Sequence, residues 1–599
     1  MSRRKKWAFR LATLLLVALV LITVEGVLRL AGVGRDLRLV APVEGSPEIL
    51  NHRLNDEIDH VYYGVADLQG PEPRRFQLPK PAGTYRIVVV GASTVIGYPY
   101  PPELAFPRHV EWLLEQQSPN RDVEVLNAGI TAVNSFAVRD VVAEAVACDP
   151  VACDPDLIIV HSGHNEFYGP AGVASTAVPV PGSCVPALYA VRRLRLTQVG
   201  TDWFLARQDT GQNLVESLPR TVEIPLDSDL MRSAEQSYRE NLQDMVRMSQ
   251  RAGVPILLTT VASNLKDQSP IRRASIEDVD AAVVQQWRDH FEAGLSRMSE
   301  GDWSGALADF ARAESVYDDD AILVYRKAEC LERLGRSDEA RRAYKTARDL
   351  DTCRFRAPGS FQRIVREVAE EAAGDGVYFL DLAAEIDAIS APSAPGYDLF
   401  LEHVHYRWEG HCHLGRLIAR CVQTAILEGP WDEDRVPTPD QMQQNLGAIP
   451  EDHLVAYSFA LQTIGTPPLN GAADVGEHQH HLSASISGRY HDLSLERQDF
   501  FADLTMSDMQ TDLVGTLAER YAARGFDERY LQLAELGVVR QPWSADRRLM
   551  LARALLRNGE EDRADDVLEY ALQLRPNWPA ARAMRDQLSP TTARQEKEQ

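Results

Sequence analysis

Tyr85-Arg86-Ile87-Val88-Val89-Val90-Gly91-Ala92-Ser93-Thr94 joins a run of apolar, β-branched residues to a glycine turn and a hydroxyl side chain. An unbroken run of this kind predicts a short strand buried on both faces. Downstream, the pattern predicts a helix near 103–117, a strand at 123–126, a helix near 135–147 and a strand at 157–161. A helix at 231–252, a strand at 255–260, a helix at 361–373, a strand at 377–380 and a helix from Gly410 continue the order. Alternation of strands and helices predicts an α/β fold, a parallel sheet with helices on both faces.

Between 285 and 352 the pattern is helical only, and it repeats. Gly301, Ala306, Phe310 and Ala313 return 34 residues later as Gly335, Ala340, Tyr344 and Ala347. Small residues where helices cross, with an aromatic between them, resemble the tetratricopeptide (TPR) repeat. Gly559, Ala564, Leu568, Ala571 and Pro576 keep the same spacing near the C-terminus. Residues 431–540, opening on Val436-Pro437-Thr438-Pro439, read as helical without a recognisable pattern, and the polar tail 589–599 reads as frayed. Such a repeat cannot bury its faces alone, so the insertion must pack on a neighbour, most simply the C-terminal helices. The joined layer would hold a partner's peptide, with a purely architectural insert as the alternative.

The 599 residues are too many for one domain, and 45% hydrophobic with 25% charged residues are globular proportions. Sixty-three Lys and Arg against 87 Asp and Glu give a net charge of −24, a field that repels polyanions and excludes nucleic acid as a partner. Basic residues nevertheless gather at the start: Arg3, Arg4, Lys5, Lys6 and Arg10 precede residues 11–24, which carry no charge. Counted over 7–28, with Arg10, Glu25 and Arg29 snorkelling, the segment reaches the roughly 20 residues a membrane span needs. No small-x-small cleavage site follows it, which favours an uncleaved signal-anchor over a cleaved signal peptide. Basic residues on the short side put the N-terminus in the cytoplasm, so the expected location is a single-pass inner-membrane protein with its bulk in the periplasm or equivalent space. The seven cysteines contain no CxxC pair and suggest neither a disulfide scaffold nor a metal framework. Cys148 and Cys153 could pair or simply be small semi-buried residues.

Four short blocks fall at or just after the C-terminal ends of the expected strands, where ligands bind in open α/β sheets. Gly91-Ala92-Ser93-Thr94 offers a hydroxyl at the tight turn, although a helix-capping Ser would look the same and no Gly-Lys-Ser/Thr follows to make a phosphate loop. Asn127-Ala128-Gly129 offers a backbone N–H without a Cβ in its way, and Ser162-Gly163-His164-Asn165-Glu166 offers the Asn165 amide. With the Ser93 N–H these would make a three-donor oxyanion hole. Glu402-His403-Val404-His405, followed by His411, supplies a base and a carboxylate to orient it. A metal site from His403, His405, His411 and His413 competes, without a matching Asp, Glu or Cys set. His478, His480 and His481 read as a solvated loop.

The blocks GAS at 91–93, Gly129, GHN at 163–165 and ExxH at 402–405 together resemble the SGNH (GDSL) hydrolase family, over about half of the chain. The resemblance implies a flavodoxin-like three-layer fold and a metal-free, cofactor-free serine esterase or acyltransferase. It assigns Ser93 as nucleophile, His405 as base, Glu402 as its acid, and Ser93, Gly129 and Asn165 as oxyanion donors. Two positions depart from the family: Ala92 replaces the usual Asp, and Glu402 replaces the usual triad Asp. The extra methylene of Glu402 requires either a displaced loop or a site working nearly as a Ser-His dyad. His164 would lie at the pocket mouth and touch substrate.

The expected organisation is a basic stub 1–6, an anchor 7–28, a linker 29–83, a hydrolase domain split as 84–284 and 353–430 around a TPR-like insertion 285–352, helices 431–540, a TPR-like repeat 541–588 and a tail 589–599. The expected function is hydrolysis of an acyl ester, with a protein partner on the helical layer. Acyl transfer to a cell-envelope glycan would use the same residues, and a catalytically weak TPR scaffold is the reading from another class. A Pro/Gly-rich stretch within 167–230 could form a lid over the crevice.

Overall fold

The structure is a computed structural model that describes residues 3–45, 47–63, 68–147, 152–175, 180–205, 223–275, 279–374 and 376–588. Cys148, and with it any pairing to Cys153, lies outside the described residues, as do the tail 589–599 and much of the expected lid. The chain begins with one apolar helix, α1 (Arg3–Leu30), long enough to cross a membrane and with none of its apolar window buried against the rest of the chain.

Residues 30–83 do not behave as a linker. They form a small antiparallel sheet of β1 (Val40–Pro42), β2 (His52–Leu54) and β3 (Arg75–Phe76), with a short helix α2 (Asp59–Tyr63). Leu39, Leu54, Ile58, Val61, Tyr62 and Phe76 are buried in the same core as the main sheet. The polar and proline-rich composition hid these few apolar anchors, which are spaced too irregularly to show a period.

The main sheet is wholly parallel and has five strands: β4 (Thr84–Gly91), β5 (Asp122–Gly129), β6 (Leu157–His161), β7 (Ile256–Thr259) and β8 (Val377–Leu380). Their spatial order is β5-β4-β6-β7-β8, so the order reverses at β4 and opens a crevice beyond its C-terminal end. Alternate residues feed two cores. Val88 and Val90 join the core under α5 (Ser135–Ala145) and the helices Asp229–Ala252 and Gly359–Glu371, whereas Ile87 and Val89 join the core under α4 (Phe106–Gln117) and Trp408–Cys421. Helices thus cover both faces, as the unbroken apolar run in β4 requires. Arg86, directly before that run, is buried as well: its guanidinium donates to the carbonyls of Cys153 (2.7 Å) and Gln77 (2.9 Å), and pairs with Glu124.

The insertion is four paired helices, Ala281–Ser299, Trp303–Val316, Ala321–Arg333 and Ser337–Leu350. Gly301 and Gly335 close turns with φ of +79° and +74°, and Ala306, Phe310, Ala313, Ala340, Tyr344 and Ala347 are buried at the crossings. A second array of paired helices runs from Leu513–Ala523 to Pro579–Leu588 and so begins before residue 541. Gly525 and Gly559, again 34 apart and both left-handed, mark its turns. The insertion touches the C-terminal helices only in part: Tyr325 donates to the Lys266 carbonyl (2.5 Å) and to Asp474 (3.3 Å).

Glu72 ties the small sheet to the large one. Its amide donates to the Asn127 carbonyl (3.2 Å), while its carboxyl is buried with Oε1 lacking a partner among the described residues. Burial, reinforced by the neighbouring Glu103, pushes that carboxyl from 4.5 up to about 8. The folded chain therefore keeps a proton that the unfolded chain releases, and stability is lost as pH rises across this window. Glu72→Gln is expected to melt at a higher temperature than wild type at about pH 9, with an unfolding free energy larger by more than about 1 kcal/mol. The difference should shrink toward about pH 5. A difference that does not grow with pH in paired thermal melts would contradict this.

Candidate active site

Ser93 opens α3 (Ser93–Ile96), the one-turn helix that follows β4. Its position depends on two glycines. A Cβ on Gly91 would collide with the His161 carbonyl of β6 and with the Val95 side chain of α3, and one on Gly129 with the Ile96 amide, so α3 can press against the ends of β4 and β5 only because neither residue has a side chain. Ser93 is thereby held at the strand-order reversal, only 9% exposed.

The expected base, His405, comes from a loop more than 300 positions later. An isolated antiparallel bridge between Phe400 and Tyr406, with the Leu401 amide donating to the His405 carbonyl (2.8 Å), closes a tight loop. Glu402 lies at its centre, 1% exposed, and its carboxylate accepts the backbone amides of His403 (2.7 Å) and His405 (2.8 Å). The same carboxylate bonds His405 Nδ1, and His405 Nε2 lies 2.8 Å from Ser93 Oγ. The loop curls around the carboxylate, so the longer Glu side chain reaches Nδ1 without leaving a gap. Burial holds the His405 imidazole below its ordinary 6.5, while the Glu402 carboxylate acts in the opposite sense and stabilises an imidazolium once it forms.

The three expected oxyanion donors are not equally available. The Ser93 amide stands at the N-terminus of α3. Asn165 Nδ2 donates one hydrogen to the Val133 carbonyl (3.1 Å), which orients the amide and leaves its second hydrogen. The Gly129 amide donates instead to Asn127 Oδ1 (3.1 Å), while Asn127 Nδ2 holds the Val95 carbonyl (2.9 Å). Glu166, beside Asn165, accepts both the amide (2.9 Å) and the hydroxyl of Ser135 and pins the loop to α5. Burial pushes the Glu166 carboxyl up to about 7.

His164 is not at the pocket mouth. It is 6% exposed, its Nδ1 accepts the Ala357 amide (3.1 Å), and burial drives its pKa down to about 3. The competing four-histidine set is not brought together. His411 is fully buried against Tyr100 and Tyr406, and among the described residues only Glu402, His403 and His405 lie close enough to hold a cation. His403 Nδ1 abuts the second Glu402 oxygen, so these donor groups already face one another.

His478 and His481 were misplaced in the sequence reading, and Tyr98 was passed over. His478 belongs to the helix Val475–Asp492, not to a solvated loop; it is 1% exposed and its Nε2 donates to the Leu401 carbonyl (3.1 Å), directly before Glu402. His481 stacks on Tyr397 at 4.1 Å. Tyr98 sets its ring edge against His405 (4.8 Å between centroids) and bonds Thr463 (3.1 Å). The run Tyr98-Pro99-Tyr100-Pro101-Pro102 was a visible signal; nothing in the sequence singled out His478 from its neighbours. Beyond Tyr98 a cavity of about 710 Å³ opens between the α/β domain and the C-terminal helices, lined among others by Tyr98, Thr131, Phe459 and Val514.

No family model matches the chain, and no curated protein matches it. Similarity is found to solved helical assemblies. The TPR2AB domain of yeast Sti1 in its pHSP90 complex is 10% identical with a TM-score of 0.13, covering 51% of this chain and 83% of that one. The Cut9–Hcn1 hetero-tetramer of APC/C is 10% identical with a TM-score of 0.15, covering 68% and 63%. Naa15/Naa10 bound to HypK-THB is 13% identical with a TM-score of 0.15, covering 60% and 67%. TM-scores this low assign neither fold nor function.

Proposed function

We propose that the chain is a serine hydrolase of the SGNH type acting on ester bonds, anchored in the membrane by α1 with its catalytic domain outside the cytoplasm. The observation that supports it is the buried chain of contacts from Ser93 Oγ through both nitrogens of His405 to Glu402. A neutral His405 accepts the Ser93 proton at Nε2 as Oγ attacks the ester carbonyl carbon, and Nδ1–H remains on Glu402. The carbonyl π electrons move to oxygen, and the oxyanion meets the Ser93 amide and the free hydrogen of Asn165. Use of the Gly129 amide would need Asn127 to turn away. The imidazolium then returns its proton to the leaving alcohol, and water attacks the acyl-enzyme with His405 again as base. The paired helices of 281–350 and 513–588 serve in this reading as a protein-binding layer beside the site.

A fluorophosphonate probe is expected to label the full-length protein at Ser93, as read by peptide mass spectrometry, and Ser93→Ala should lower ester hydrolysis by about 10⁴-fold or more. Well-folded protein that does not label, or Ser93→Ala with unchanged activity, would sink the proposal.

The base must be neutral, and burial lowers its pKa, so kcat/KM is expected to hold from neutral pH down past 6.5 and to fall only below it. An acid limb with its midpoint above about 7 would contradict the geometry around His405.

His478 acts through the Leu401 carbonyl and is a positioning residue. His478→Leu is expected to lower kcat by about tenfold, the scale of a supporting contact, with KM little changed. His478→Gln, which can still donate to that carbonyl, should recover most of the loss. An equal loss in both variants would assign His478 to stability alone.

A further inference from the structure

Two helices lie beyond residue 180: α6 (Val185–Arg192) and α7 (Arg195–Leu205). They are joined to the outer end of α1. The Glu25 carboxylate accepts the first amides of α7, from Arg195 (3.1 Å) and Leu196 (3.0 Å). Gln198 brackets the chain as it leaves α1, accepting the Arg35 amide (2.7 Å) and donating to the Arg35 carbonyl (3.2 Å). On its inner side α6 is fixed by the buried Val185 and Tyr189 and by Arg193, which pairs with Asp140 (2.7 Å) and Glu144 on α5.

The outer sides are apolar. On α6 and just after it, Ala187, Ala190, Val191 and Leu194 recur at helical spacing and are exposed; on α7, Leu196, Val199 and Trp203 do the same, Leu196 only partly. Val191 is 49% exposed and Trp203 62%. Single exposed apolar residues need no explanation, but two adjoining stripes ending in a Trp beside an anchor helix match the pattern of a segment lying in a membrane interface.

Between α1 and this hairpin lies a pocket of about 310 Å³ lined by Arg29, Arg35, Arg38, Arg193, Arg195 and Asp36. Arg29, Arg35 and Arg193 have carboxylate partners on the protein, in Glu25, Asp202 and Asp140, and Arg38 pairs with Asp36. Arg195 Nη1 is buried without a hydrogen-bond partner among the described residues. An N–H donor in that state suits a non-bridging oxygen of a phosphate diester, a tetrahedral anion that only accepts hydrogen bonds.

Resting on the reading of α1 as an anchor, we propose that α6 and α7 lie in the outer leaflet of the bilayer that α1 crosses, with a phospholipid phosphate held by Arg195 in the arginine pocket. The acyl chains run along the exposed stripes, and the hydrolase domain is thereby held down on the membrane surface rather than swinging on a tether.

The test uses full-length protein in a Cys184→Ser background, since Cys184 is exposed, reconstituted in phosphatidylcholine nanodiscs with or without phosphatidylglycerol. Nitroxides are placed at Val199→Cys, Trp203→Cys, Leu16→Cys in α1 and Val539→Cys on the C-terminal array. Collision with oxygen is expected to exceed collision with a water-soluble nickel chelate at 199, 203 and 16, and the reverse is expected at 539. Water-exposed labels at 199 and 203 with a lipid-buried label at 16 would overturn the hairpin placement and leave the anchor standing. A water-exposed label at 16 as well would overturn both. Spin–spin broadening at 199 and 203 would show a second copy on the stripes and overturn the lipid contact. Native mass spectrometry of detergent-solubilised protein reads the pocket: Arg195→Gln is expected to weaken retention of phosphatidylglycerol about tenfold, the scale of one charge-assisted contact. Excess inorganic phosphate should not displace the lipid. Unchanged retention in the variant, or complete displacement by phosphate, would overturn the headgroup site.

Discussion

Helix α3 rests directly on the ends of two strands, and this contact is possible only because Gly91 and Gly129 carry no Cβ. Everything at the candidate site is measured from it. The contact puts Ser93 at the reversal of strand order, presents its amide at a helix start, and leaves its hydroxyl 2.8 Å from His405. A methyl group on Gly129 would lie under 3.0 Å from the Ile96 amide nitrogen of α3, and one on Gly91 under 3.0 Å from the Val95 side chain of α3 and from the His161 carbonyl, so something must shift in either case.

The second requirement is a buried carboxylate at the far end of the catalytic chain. Glu402 is removed from water, and the loop compensates with two backbone amides and an imidazole. That loop is short and would not hold its shape alone. Its carbonyl at Leu401 is fastened by His478, and its His405 ring is braced by Tyr98, which is tied in turn to Thr463. The helices after residue 431 are thus part of the site's support, and one wall of the adjoining cavity. A domain drawn to end near 430 would lack His478 and the Thr463 hydroxyl that holds Tyr98.

Much of the architecture was legible. The five parallel strands and their covering helices follow from apolar runs such as Ile87–Val90 and from the periodicity between them, and the helix pairs from glycines and small residues 34 positions apart. The antiparallel sheet within 30–83 was not, because three strands of two or three residues, set among prolines and charges, have no period to detect. The availability of donors was also hidden: Gly129 and Asn127 look equally like turn residues, and only the fold shows that one occupies the other.

By itself the sequence determined the α/β layering, the repeated helices, the apolar N-terminal helix and the residue types of a Ser-His-acid set, because each rests on composition or on spacing along the chain. The tertiary structure decided that Glu402 reaches His405, that His164 is buried against the Ala357 amide rather than at the pocket mouth, that His411 packs against Tyr100, and that His478 supports the loop. It also decided that an arginine pocket and two apolar stripes adjoin the outer end of α1. These depend on distances between residues hundreds of positions apart, set by burial and packing in three dimensions, which no local pattern encodes.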